Sequence, residues 1–96
     1  MKVKLDDYYV RVLINGLFEH RGDCGEKANE TINELLIRLV GISDEMKPNR
    51  KKKIEFSSEE ASVIVKCLVN WRNEEIQAEK HTAVEVISEL LTLLVK

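Results

Sequence analysis

Lys53-Ile54-Glu55-Phe56-Ser57-Ser58-Glu59-Glu60, continuing through Ala61 to Val69, is the stretch on which the fold turns. Residues 53–56 alternate polar and apolar, which places Ile54 and Phe56 on one face of a short strand and Lys53 and Glu55 on the other. Ser57 with Glu60 has the form of a capping box. Beyond it, Ala61, Ile64, Val65, Leu68 and Val69 keep the i, i+3, i+4, i+7, i+8 spacing of an amphipathic helix.

The same pattern stands 51 residues earlier. Lys2-Val3-Lys4-Leu5 is again a short strand, Asp6 or Asp7 caps a helix, and Val10, Leu13, Ile14, Leu17 and Phe18 repeat the helical stripe, with Arg21 mapping onto Arg72. A second stripe, Ile32, Leu35, Leu36, Leu39 and Val40, returns as Ile87, Leu90, Leu91, Leu94 and Val95 at an offset of 55, and Ala28 returns as Ala83. The four residues gained between the two offsets amount to about one helical turn, which predicts a longer first helix in the second copy.

The expected fold is therefore mainly α: a tandem β-α-α repeat of four helices with a short two-stranded antiparallel ribbon, related by a pseudo-twofold. Residues 1–96 read as one domain, with copies at 1–41 and 51–96 and a connector at 42–50 that holds the only proline, Pro48. The first helix is expected to stop at Gly22. The second is capped by Asp23 with Glu26 and ends at Gly41, the third reaches Glu79 or Lys80, and the fourth starts at Ala83 behind a Thr82–Glu85 box. Val3, Leu5, Ile54 and Phe56 point inward; Lys2, Lys4, Lys53 and Glu55 point out.

Composition narrows function only broadly. No apolar run approaches the roughly 18 residues of a membrane span and the N-terminus lacks a signal-peptide core, so the expected location is the cytoplasm. Cys24 and Cys67 fit no metal spacing and read as free thiols. Lys47, Arg50, Lys51, Lys52 and Lys53 place +5 within seven residues of a chain whose formal charge is −2, leaving −7 elsewhere. That balance argues against indiscriminate nucleic-acid binding.

No motif for catalysis, metal or cofactor stands out. His20 and Cys24 are four apart with Gly22 between them, His81 falls at a helix boundary, and Gly16, Gly22, Gly25 and Gly41 form no phosphate-binding pattern. The reading is non-enzymatic. Val12, Gly16 and His20 correspond to Val63, Cys67 and Trp71 along one flank, where the small residues let two helices cross closely or leave a groove for a partner helix. Trp71, the only tryptophan, replaces His20 of the first copy; Tyr8 and Tyr9 replace Glu59 and Glu60. With Arg72, these aromatics are the candidate partner-binding residues.

The order of elements resembles the ribbon-helix-helix family of DNA-binding proteins, in which two β-α-α protomers pair through an antiparallel ribbon that enters the major groove. The resemblance implies DNA contacts from Lys2, Lys4, Lys51 and Lys53, with phosphates held at the starts of the second and fourth helices. Departures are a third helix about twice the family's length and Glu55 at a base-reading position. The short, charge-rich style is also similar to small uncharacterised phage and prophage proteins of Gram-positive bacteria. The leading expectation is a protein-interaction module, a regulator or inhibitor acting on a partner protein as monomer or homodimer; the alternative is a single-chain DNA-binding regulator.

Overall fold

The computed structural model describes residues 1–24, 26–48 and 50–94, with backbone alone for Asp23, Cys24 and Lys27. The order is β1 (Lys2–Asp6), α1 (Asp7–His20), a 3-10 turn (Arg21–Cys24), α2 (Glu26–Glu45), β2 (Lys51–Glu55), α3 (Ser58–Gln77) and α4 (His81–Leu94). The strands pair antiparallel, and Val3 lies opposite Ile54, its own counterpart at the offset of 51. The first fourteen residues of α3 stand at that same offset from α1, and α2 and α4 begin 55 residues apart.

Burial keeps to the repeat. Leu13 and Ile64, Leu17 and Leu68, Ile32 and Ile87, Leu35 and Leu90, and Leu39 and Leu94 are buried pairs, joined in one core by Val3, Leu5, Ile54 and Phe56 from the underside of the ribbon. An isolated two-stranded ribbon is marginal in water. Here its apolar face is covered by the helices, and Arg38 of α2 ties it down. Arg38 Nη2 donates to the Glu55 carbonyl at 2.6 Å. Its Nη1 lies 3.2 Å from Glu60 Oε2, and its guanidinium stands 5.3 Å from the Phe56 ring centre. Glu60 also closes the capping box with Ser57 that starts α3, while Asp6 caps α1 by accepting from Tyr9 N–H at 2.9 Å.

Several expected boundaries differ. Gly22 does not end α1 in a left-handed turn: Arg21 is right-handed helical and the chain runs on into the 3-10 turn, which packs against α2 and α3. That turn occupies the place of the extra length of α3. Gly41 does not end α2, because Ile42 and Met46 beyond it pack on the core and draw the helix on to Glu45. The connector 42–50 thus loses its first four residues to α2. Thr82 does not cap α4; the helix starts at His81, and Val84 N–H donates to the Lys80 carbonyl at 3.1 Å. The stripe members Phe18, Val40 and Val69 are exposed rather than buried, since each lies at the edge of an arc wider than the core covers. The Asp23 carboxylate, the Cys24 thiol and Val95 lie outside the described residues.

Between α3 and α4 the chain reverses tightly. Lys80 N–H donates to the Glu75 carbonyl at 3.0 Å and Glu79 N–H to the Ile76 carbonyl at 3.1 Å, the double closure of a Schellman turn. Glu79 carries the required left-handed backbone, φ 59°, at a position where glycine is usual. Side chains pay about 1–2 kcal/mol there. Glu79→Gly should therefore stabilise the protein by roughly 1 kcal/mol in denaturant unfolding; an unchanged or lower midpoint would show that the Glu79 side chain makes compensating contacts.

Candidate functional site

A cleft of about 710 Å³ opens where the start of α1, the middle of α3 and the start of α4 converge. Tyr8 and Val12 come from α1, one helical turn apart, and Trp71 comes from α3. The α3–α4 turn contributes Glu79 and Lys80, and Ala83, Val86 and Ile87 of α4 complete a mainly apolar wall. Tyr8 is 54% exposed, so the aromatic rim is open to solvent.

Trp71 is seated there by α1. A Cβ placed on Gly16 would lie 2.7 and 2.8 Å from Cε3 and Cζ3 of the indole, so only glycine leaves room for it. The indole N–H donates to Glu75 Oε1 at 3.2 Å. His20, the counterpart of Trp71 in the first copy, lies buried with its ring centre 6.1 Å from that of the indole, and its Nδ1 is 3.6 Å from Glu74 Oε2. The close crossing of α1 and α3 thus uses the flank that holds Gly16, Cys67 and His20, all buried. Val12 and Trp71, at its outer edge, reach the cleft.

The other two partner candidates lie elsewhere. Tyr9 donates its hydroxyl to Glu89 of α4, and Arg72 Nε donates to Ser88 Oγ at 2.9 Å, so each ties a helix to α4. The hydrogen bond to the Glu89 carboxylate, with burial adding to it, pushes the Tyr9 hydroxyl up to about 12. Folding therefore retains this proton where the unfolded chain, near 10, releases it. The stabilising contribution is complete below pH 10 and is lost as pH rises through about 12. A tyrosinate absorbance titration should show one late phase that Glu89→Gln brings forward; a titration unaltered by Glu89→Gln would rule out this cause.

Comparison with protein-family models, with curated proteins and with solved structures returns no match. The site stands on its own geometry. Among the described residues no group of three or more His, Cys, Asp or Glu side chains is arranged to hold a metal ion, and no helix is long and apolar enough to cross a membrane.

The basic ribbon forms a second surface. Lys2, Lys4, Lys51 and Lys53 are all exposed and share its outer face, because Lys2 pairs with Glu55, Lys4 with Lys53 and Asp6 with Lys51. Two carboxylates stand among the four ammonium groups, but Lys4 and Lys53 face each other directly, a like-charge arrangement that costs strand pairing. Lys52, out of phase with them, lies 3.8 Å from Glu45. Sequence reasoning did not single out Lys80 and Val86 at the cleft, nor Ile37 on α2. Ile37 carried a signal: it is apolar yet falls off the stripe of its helix.

Proposed function

We propose that the chain is a non-enzymatic protein-interaction module of the cytoplasm, a small regulator or inhibitor that seats a partner protein on its helical face. The observation that carries this is the convergence of Tyr8 and Trp71, from separate helices, on one open apolar cleft. Exposed aromatic rims around apolar pockets are where binding energy concentrates. The charge of −7 outside residues 47–53 favours a protein partner over a polyanion. A photo-crosslinking residue at Tyr8 identifies the partner in host cells. Trp71→Ala should then cost about 2 kcal/mol or more of affinity, and Tyr8→Ala, on an exposed side chain, should weaken binding without disturbing the fold.

The shared face of the four ribbon lysines supports a second reading, a ribbon inserted in the major groove of DNA. Under that reading the dependence of log affinity on log salt is steep, and replacing Lys4 and Lys53 by Gln lowers its slope by about 1.8, each phosphate contact supplying about 0.9. Under the leading reading those lysines guard the ribbon from pairing with other chains. Tight, salt-sensitive binding to duplex DNA that Tyr8→Ala leaves unchanged would overturn the protein-interaction reading.

A further inference from the structure

A groove of about 430 Å³ runs between α1 and α2, walled by Ile14 and Phe18 on one side and Leu36, Ile37 and Val40 on the other, with Arg21 at one end. Ile37 is 77% exposed, Phe18 56% and Val40 45%, so the fold leaves this apolar strip in water. A hollow beside Asn29 and Asn33 continues it, since Phe18 and Arg21 border both. From Asn29 to Val40 the track follows about three turns of α2.

Charge along α2 identifies what fits there. Glu30 and Glu34 are both exposed and stand at i and i+4, a spacing at which like charges repel. Asp44 and Glu45 occupy the last turn of the helix, which holds no basic residue, and the helix dipole disfavours carboxylates at that end. Lys52 lies 3.8 Å from Glu45, but Glu30, Glu34 and Asp44 have no ion-pair partner among the described residues. These three lie seven and three residues before Ile37 and seven after it, which puts them on the same outer face of α2. The cations on the α1 side are engaged: Arg21 stacks on the Phe18 ring at 4.7 Å, and Arg11 is 3.9 Å from Asp7.

From this we infer that the groove seats a basic amphipathic helix of another protein, its apolar stripe between α1 and α2 and its lysines or arginines on Glu30, Glu34 and Asp44. Docking covers Ile37, relieves the repulsion between Glu30 and Glu34 and offsets the acid at the end of α2. Each of these features is unfavourable in the free chain, and nothing inside the fold makes use of them. A second α2 would set like charges against one another and does not fit. The groove shares no residue with the cleft of Tyr8 and Trp71, and its occupancy does not rest on the function proposed for that cleft.

Calorimetric titration of the full chain with synthetic helical peptides of about fourteen residues, four turns, tests it. One peptide carries leucines at i, i+3, i+7 and i+10 with lysines on the flanks; a second has glutamates for the lysines, and a third serines for the leucines. The leucine–lysine peptide should bind, and the other two roughly tenfold or more weakly. Ile37→Ser should weaken its binding by roughly tenfold or more, and Glu30→Gln with Glu34→Gln should weaken it several-fold at low salt and little at high salt. The Glu30→Gln, Glu34→Gln variant should melt at or above the wild-type temperature, so lost binding cannot be attributed to a lost fold. No binding of the leucine–lysine peptide at millimolar concentration overturns the inference, as does equal binding of either control peptide or binding that these substitutions leave unchanged.

Discussion

Leu17→Ala and Leu68→Ala should each lower the free energy of unfolding by about 2–5 kcal/mol, the range for truncating a fully buried leucine. Both side chains have no solvent exposure, and they occupy equivalent places in the two copies. Each stands within the single core that the four helices and the ribbon share, so neither cavity can collapse onto a free surface. Against a total stability of about 5–15 kcal/mol for a domain of this size, the larger loss unfolds much of the population at ambient temperature. Denaturant midpoints measure the effect. Leu93→Ala, at a 37% exposed position, is the control and should move little. Midpoints that barely shift for both core variants would contradict the packing described.

The second large effect reverses the sign that helix propensity alone assigns. Replacing an interior helical glycine by alanine ordinarily stabilises by roughly 1 kcal/mol, and Gly41→Ala, with open space above it, should do so. Gly16→Ala should instead destabilise by about 1–3 kcal/mol. Its methyl would lie 2.7 Å from an indole that is held by Glu75 and flanked by His20, and 3.6 Å from Leu68 Cδ2. The overlap can be relieved only by moving a ring that also forms the cleft wall. Pairing Gly16→Ala with Trp71→Leu should recover most of the loss, a coupling that a double-mutant cycle reads directly. If the two substitutions prove additive, the indole does not rest on Gly16.

These residues also mark the limit of what a linear sequence shows. The strands, the helix count, the capping by Asp6 and Ser57 and the pairing of the copies rest on local pattern and on repetition, and both are visible along the chain. Helix ends were less so. Gly22 and Gly41 carry the usual stop signal, yet α1 passes into a 3-10 turn packed on α2 and α3, and α2 continues because Ile42 and Met46 are half-buried on the core. The left-handed residue proved to be Glu79, whose chemistry gives no hint of it. Of the candidate aromatics, Tyr8 and Trp71 meet at one cleft, while Tyr9 is committed to Glu89 and Arg72 to Ser88. That division depends on which way adjacent helix positions face once α4 is docked.

By itself, the sequence determined a β-α-α order of elements that occurs twice along the chain, because hydrophobic spacing and cap residues act within a turn or two of where they stand. It also placed Val3 and Ile54 as equivalents, and the ribbon then pairs those two residues with each other. Only the tertiary structure decided that Trp71 rests on Gly16, that the four ribbon lysines share a face with Lys4 opposite Lys53, and that Phe18, Ile37 and Val40 remain in solvent. Each of these is set by contact between segments far apart in the chain, and such contacts depend on helix crossing and strand register rather than on local spacing.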